Sequence, residues 1–360
     1  MNVLFLTRKF PPSVGGMERY ASDLHDSISE NANVTLVKWG GSNKLFPLIA
    51  PFFFIKSVLY LLTKNIEIIH IQDGLLSPLG LTLSKVFRKP FVVVIHGLDI
   101  TYENKIYQMV IPFCLRRANK IICISNAARE QVISRGVNSS KVDFVPLGIT
   151  DDLFVNNKVK AKNTIENRYR LNAKTKKILS VGRLVERKGI HWFIDQAMPK
   201  LLDKDPEIAL FISGSGETLP IIEKVIESNG LCEKVFMLGR VPNDELLDLY
   251  NGCDLFVMPN ISVKNDMEGF GRVLLEAASC QMPVVATGIE GIVDAIKHEK
   301  NGILLEEKDT ESFVDSILHF LDEKNGIPFG AKARAYSLEN YNWDIIGSKV
   351  VEIYQQNFRP

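Results

Sequence analysis

Short apolar runs rich in β-branched residues punctuate this chain at 3–6, 34–37, 66–71, 91–95, 120–124 and 142–145, with longer helix-like segments between them. A second series follows at 178–181, 209–213, 235–238, 255–258, 284–286 and 303–305. Runs this apolar suit strands of a parallel sheet covered on both faces. Their alternation with helices predicts two doubly wound, Rossmann-like α/β halves. Residues 151–177, between the two series, are polar and rich in Asn and Lys, and are read as the interdomain linker. The expected domains are therefore 1–160 and 161–342. A C-terminal helix over 343–357, where apolar residues recur at helical spacing, can pack back on either half.

Length and composition agree with this division. A chain of 360 residues exceeds what one hydrophobic core usually serves, and 46% hydrophobic with 24% charged residues describes ordinary globular domains. Forty-three basic against 42 acidic side chains leave a net charge of +1. That supplies no global field for nucleic acid, so any anionic ligand has to be met locally.

Five cysteines, with no Cys-x-x-Cys pair and no histidines at zinc spacing, predict a reduced interior without a metal site. The apolar start at 1–6 meets Arg8 and Lys9 too soon for a secretory signal, which points to the cytoplasm. The most apolar stretch, 45–62, is interrupted by Pro47, Pro51 and Lys56, whereas a spanning helix needs about 20 largely apolar residues. Two readings stay open for it. It forms a buried helix ahead of the strand at 66–71, or, with Lys44, Lys56 and Lys64, it rests on the inner membrane face.

Ligands of open parallel sheets bind at the carboxyl ends of the strands, so the chemistry is sought in those loops. After the first strand, Gly15-Gly16-Met17-Glu18-Arg19 lets backbone approach a ligand at a helix start, or simply makes a tight turn. The strand at 91–95 ends in His96-Gly97, an imidazole where the sheet opens. Ser125-Asn126 reads equally well as a helix cap. In the second half, Gly182-Arg183 with Lys188-Gly189 offers a planar guanidinium and a mobile ammonium after a strand end, a clamp for phosphate oxygens.

Ser213-Gly214-Ser215-Gly216 resembles part of a dinucleotide-binding turn, but Leu219 stands where its last glycine belongs, which disfavours hydride transfer. The sharpest signal is Glu268-Gly269-Phe270-Gly271, followed by an apolar helix carrying Glu276. The first amides of that helix are free for anionic oxygens. If the intervening chain is helical, Glu268 and Glu276 lie about 12 Å apart, too far to share a proton.

These pieces, together with Val145-Pro146-Leu147-Gly148-Ile149, are similar in order and spacing to the family-4 group of retaining glycosyltransferases with the GT-B architecture, two Rossmann-like domains facing a cleft. The chain departs from the family at Gln281-Met282-Pro283 and Glu290-Gly291, where glycines are common. The resemblance implies that Arg183 and Lys188 neutralise the pyrophosphate of a nucleotide diphosphate sugar, that Glu276 bonds its ribose, and that Glu268 with the Gly269, Phe270 and Gly271 backbone addresses sugar and phosphate. It further implies Gly16 near the diphosphate, His96 near the transferred sugar, Arg240 and Val241 near the base, and an acceptor on the first domain.

The implied reaction is transfer from a UDP- or GDP-sugar to a glycan, lipid-linked or small-molecule acceptor, with no cofactor and no metal. Glu268 as a covalent nucleophile is a variant of the same reaction. A non-catalytic sugar-nucleotide sensor built on the same site is the alternative. A glycogen-type phosphorylase would need a pyridoxal-phosphate lysine and a longer chain.

Overall fold

The computed structural model describes residues 1–42, 45–155 and 157–358, so Lys44 lies outside the described residues. The chain divides into two compact units. Unit 1 holds Met1–Gly148, Met267–Phe270 and the chain from Tyr341 onward, and unit 2 holds Ile149–Asp266 and Gly271–Asn340.

Unit 1 runs β1 (Asn2–Thr7), α1 (Gly16–Ser29), β2 (Asn33–Lys38), α2 (Phe46–Thr63), β3 (Ile68–Ile71), α3 (Ser77–Phe87), β4 (Phe91–Ile95), α4 (Leu98–Thr101), α5 (Lys105–Leu115), β5 (Lys120–Cys123), α6 (Asn126–Ser134) and β6 (Val142–Phe144). The strands form one parallel sheet in the order β2-β1-β3-β4-β5-β6. Its central strands are buried along their whole length, which explains their apolar, non-alternating sequences.

Unit 2 continues with α7 (Lys158–Tyr169), β7 (Lys176–Val181), α8 (Ile190–Gln196), α9 (Met198–Lys204), β8 (Ile208–Ser213), α10 (Leu219–Ser228), β9 (Val235–Gly239), α11 (Asn243–Gly252), β10 (Leu255–Met258), α12 (Arg272–Ser279), β11 (Val284–Thr287), α13 (Ile292–Ala295), β12 (Ile303–Leu305), α14 (Thr310–Leu321) and α15 (Glu323–Tyr341). Its parallel sheet is ordered β12-β11-β10-β7-β8-β9. In both sheets the winding order of the strands reverses beside the first strand, between β1 and β3 in unit 1 and between β7 and β10 in unit 2. Such switch points open a crevice at the carboxyl ends of the strands.

All twelve expected strands are present, with β3 starting at Ile68 rather than 66. The linker expectation is corrected. Residues 158–169 form α7, which packs on α11 inside unit 2 and buries only Ala161 and Ile165. A buried lysine fixes this helix to the sheet: Lys177 Nζ lies 3.1 Å from Glu166 and 3.7 Å from Asp254. A buried cation tolerates that position only with such partners.

The last helix, α16 (Trp343–Phe358), belongs to unit 1 and packs on α1. Ser27 donates to the Trp343 carbonyl at 2.6 Å. Farther along, the hydroxyl of Tyr354 bonds His70 Nδ1 at 2.5 Å, while the other ring nitrogen of His70 bonds Gln72 Oε1 at 2.7 Å. His70 also stacks on Phe5, centroids 4.4 Å apart.

Burial, only partly offset by the Gln72 bond, lowers the His70 pKa from 6.5 to about 4. The folded ring is neutral where the unfolded ring takes a proton, so the unfolded state binds more protons between those values. Stability is therefore full above pH 6.5 and declines as pH falls toward 4. The expected loss is about 3 kcal/mol in total. Urea midpoints measured across that window should fall more steeply in the wild type than in His70→Gln; equal slopes would refute the assignment.

Candidate active site

The sequence-predicted residues lie in loops at the carboxyl ends of the strands, one set in each unit; Arg183 and Lys188 follow β7 and Gly16 follows β1 at the switch points, whereas Arg240 and Val241 follow the edge strand β9 and His96 follows β4. In unit 2, β7 ends at Val181 and the chain turns through Gly182, whose φ of 156° is close to extended backbone. Arg183 is exposed, whereas Lys188 is buried and returns to the same place, its Nζ 4.0 Å from Met258 Sδ at the end of β10. A Cβ on Gly182 would stand in van der Waals contact with Lys188 Cε, at 3.4 Å, so the two residues lie side by side. Arg183, Lys188, Gly182, Ile190 and Met258 line one small hollow at the carboxyl end of β7. An apolar wall behind two cations lowers the local dielectric and strengthens their pull on an anion.

Two neighbouring loops hold this turn in place. Gly182 N donates to the Ser213 carbonyl at 2.9 Å and Leu184 N to the Ser215 carbonyl at 3.0 Å. A Cβ on Gly214 would overlap the Gly182 carbonyl, and one on Gly216 the Leu184 carbonyl. The glycines that resemble a dinucleotide turn thus serve close packing of two backbones, a role only the fold reveals. On the other side, Arg187 reaches Asp266 through Nη1 at 3.0 and 3.2 Å, tying the loop of Lys188 to the approach of α12.

Helix α12 starts behind Gly271, whose φ of 82° is left-handed. Among the described residues no side chain caps it, so its first amides and its dipole face the loop end. Glu276 sits one turn on, buried, with Oε1 accepting from Arg272 Nε at 3.0 Å and Oε2 from Tyr250 Oη at 2.9 Å. The Arg272–Glu276 pair is the i,i+4 spacing that a helix brings together. Tyr250 comes from α11 and had no signal in the sequence. Because α12 begins at Arg272, the chain from Glu268 to Gly271 is not helical, which corrects the assumption behind the 12 Å separation expected for Glu268 and Glu276. Arg240, exposed after β9, bonds Ser215 Oγ through Nε at 3.1 Å, with Val241 half-buried beside it.

In unit 1, Gly16 is the first residue of α1, and a Cβ there would meet nothing within 4 Å. Protein packing does not demand that glycine. At Gly15 a Cβ would overlap the Glu18 carboxylate and oblige that side chain to shift. Glu18 is itself buried and paired with Lys9 at 2.9 Å. His96 follows β4, buried, its Nε2 2.8 Å from the Gln72 carbonyl and its ring edge-on to Tyr20 at 5.1 Å. Its backbone amide donates to Asp99 Oδ1 at 2.8 Å. Burial raises the Asp99 carboxyl above its ordinary range.

Unit 1 also brings Met267–Phe270 beside His96-Gly97. A Cβ on Gly269 would overlap the His96 carbonyl, and one on Gly97 would lie 3.2 Å from Gly269 Cα. Glu268, in that segment, is buried, and Phe270 packs edge-on to Tyr341. Ser125 is a helix cap, its hydroxyl accepting from Ala128 N.

Two parallel Rossmann-like sheets, with cations and an uncapped helix at one switch point and a glycine turn at the other, define a nucleotide-dependent transferase fold of the GT-B type. The comparisons agree. Residues 161–339 match the family model described as glycosyl transferases group 1, and residues 14–153 match that of glycosyltransferase family 4. An uncharacterized glycosyltransferase of Methanocaldococcus jannaschii is 28% identical, with 99% of this chain and 98% of that protein covered. A GDP-mannose-dependent α-(1-6)-phosphatidylinositol monomannoside mannosyltransferase of Mycolicibacterium smegmatis is 25% identical, with 98% and 97% covered.

Among solved structures, Anabaena HepE in complex with UDP and glucose superposes with a TM-score of 0.77 at 20% identity, covering 99% of both chains. Sucrose-phosphate synthase of Thermosynechococcus elongatus gives 0.79 at 20% identity, again over 99% of both. The chain belongs to the group 1 glycosyltransferases and is an enzyme of that class.

Proposed function

We propose that this enzyme transfers a hexosyl group, with retention of configuration, from a UDP- or GDP-linked sugar to a glycan, lipid-linked or small-molecule acceptor. The observation that carries the reading is the hollow shared by Arg183 and Lys188 at the unit 2 switch point. As the sugar becomes oxocarbenium-like, the departing nucleotide gathers negative charge, and positioned cations and amides act most at that moment. Arg183, Lys188 and the amides at Gly269, Phe270 and Gly271 are assigned to that charge. Glu276 is assigned to the ribose, Arg240 and Val241 to the base, Glu268 and His96 to the transferred sugar, and Gly16 to the diphosphate.

Support for the donor class comes from two relatives, the mannosyltransferase named for GDP-mannose and the neighbour solved with UDP-glucose. Cations in place of a metal make the reaction cofactor-free, so turnover should be unchanged by a chelator. Five free cysteines, four of them buried, favour the reducing cytoplasm, and the reading places the enzyme there, in contact with the inner membrane face.

The donor is identified by thermal stabilisation against a panel of UDP- and GDP-sugars, since a ligand that binds only the folded state raises stability by about 2.7 kcal/mol at a hundredfold excess over its Kd. A rise with one nucleotide series is expected. No rise with any member would overturn the reading. Stabilisation without nucleotide diphosphate release would instead identify a sensor.

A further inference from the structure

Helix α2 is apolar all round, yet it lies on the surface of unit 1. Phe53, Ser57 and Leu61 are its buried residues, with Phe53 and Leu61 in the core against the sheet. On the opposite side Leu48, Phe52, Ile55, Leu59 and Leu62 are each more than half exposed. Their spacing of four and three keeps them within about 40° of one line on a helix of 3.6 residues per turn. A surface helix normally carries polar residues there. This corrects the buried-helix reading of 45–62: the segment is a helix, but its outer face is bare.

The bare face continues on the neighbours that α2 joins over the same side of the sheet. Helix α3 packs between α2 and α5, and Val86 on α3 with Ile106, Met109 and Phe113 on α5 are exposed as well. Singly exposed apolar residues are ordinary; a patch spread over three adjacent helices marks an interaction surface.

Charge says what covers it. Between residues 45 and 118 there are eight Lys and Arg against four Asp and Glu, although the whole chain carries a net charge of only +1. Of the four acids Asp73 is buried, Glu67 and Asp99 are half-buried, and Glu103 alone is exposed. Lys64, Lys85, Arg88, Lys105, Arg116 and Arg117 are all exposed. A second copy docked face to face would set this positive excess against itself. An anionic bilayer instead accepts the apolar stripe at the headgroup boundary and pairs the cations with its phosphates.

We propose that the outer face of α2, α3 and α5 docks unit 1 on a membrane surface bearing anionic lipid headgroups. The helix lies on the membrane and does not cross it. By length and composition α2 is long and apolar enough to span, but a spanning helix could not leave Phe53 and Leu61 in the core of the unit. The proposal deepens the transfer reading by selecting a lipid-linked acceptor, and it rests on that reading for this choice alone; docking itself needs neither donor nor turnover.

The test is co-sedimentation of the full chain with vesicles of phosphatidylcholine alone or mixed with phosphatidylglycerol. Binding is expected to the mixed vesicles and to weaken with added salt. Lys85→Glu and Arg88→Glu should each weaken it by at least about fivefold, and Phe52→Asp with Ile55→Asp should abolish it. These positions are exposed, so unchanged thermal unfolding and donor stabilisation verify that the variants fold. No binding to anionic vesicles overturns the proposal, as does binding that survives the Phe52 and Ile55 substitutions. A concentration-dependent dimer that those substitutions dissolve, without vesicle binding, would assign the face to a second copy. Failure here with intact nucleotide diphosphate release leaves the transfer reading standing, and the reverse result leaves the docking surface standing.

Discussion

Replacing Lys188 with alanine is expected to lower kcat by about a hundredfold to a thousandfold, the usual cost of removing one positioned donor from a developing anion. The buried ammonium reaches the hollow of β7 and β10 from inside the fold, against Met258, so water cannot substitute for it at full strength. Arg183→Ala should slow the same step. Arg183 is exposed, and solvent screens it more, so its effect should be the smaller of the two. The double variant should lose less than the product of the single losses, because both cations act on one charge. Lys188→Met, which keeps volume without charge, should match Lys188→Ala in rate and the wild type in thermal unfolding. A Lys188→Met enzyme with wild-type kcat would remove the lysine from the mechanism.

The second large effect falls on Glu276. Its two oxygens are each engaged, by Arg272 and by Tyr250, and all three groups are buried. Glu276→Ala leaves the Arg272 guanidinium short of its counter-charge, and breaking a buried pair in this way costs about 3–5 kcal/mol. At roughly 2–4 °C per kcal/mol, the unfolding transition of unit 2 should drop by on the order of 10 °C. A carboxylate has two oxygens with about four lone-pair sites, the acceptor chemistry that a ribose hydroxyl contact calls for.

Glu276→Gln separates the two roles. It keeps an acceptor oxygen for Arg272 or Tyr250 but gives up the charge. Arg272 loses its counter-charge here too, so the transition should fall, though by less than in Glu276→Ala; a ribose contact predicts a raised donor KM in addition, read by steady-state kinetics and calorimetry side by side. A lowered transition with an unchanged KM would make Glu276 purely structural.

Much of this is legible in the amino-acid sequence. Strands buried on both faces write themselves as unbroken apolar runs, and the loops after β1, β4 and β7 follow once the strands are placed. What escaped the sequence depends on distant partners. Helix α7 buries only Ala161 and Ile165, too sparse a pattern to separate a helix from a linker. Tyr250 is one tyrosine on an ordinary helix until α12 arrives beside it. The glycines at 214 and 216 answer to carbonyls some thirty residues earlier in the chain, which no local motif reports.

Gln281 and Glu290 stand in the two stretches where glycines are common in the resembled family, and both adopt left-handed backbone, with φ of 56° and 50°. That backbone disfavours any side chain by roughly 1–2 kcal/mol per residue. The fold therefore keeps the turn that glycine would favour and carries the strain.

The face of α2 shows the opposite limit. Its apolar sequence was plain, but sequence cannot say which side of an all-apolar helix is covered. Only the placement of Phe53 and Leu61 in the core shows that Leu48, Phe52 and Ile55 are left outside.

The central claim is that this chain cleaves a nucleotide diphosphate sugar at the unit 2 switch point. Its most direct test is nucleotide diphosphate release from the sugar nucleotide that stabilises the protein, with the anomeric configuration of the product read by NMR. The account predicts release with the anomeric configuration retained. A bound donor that stays intact, or a product of inverted configuration, would contradict it.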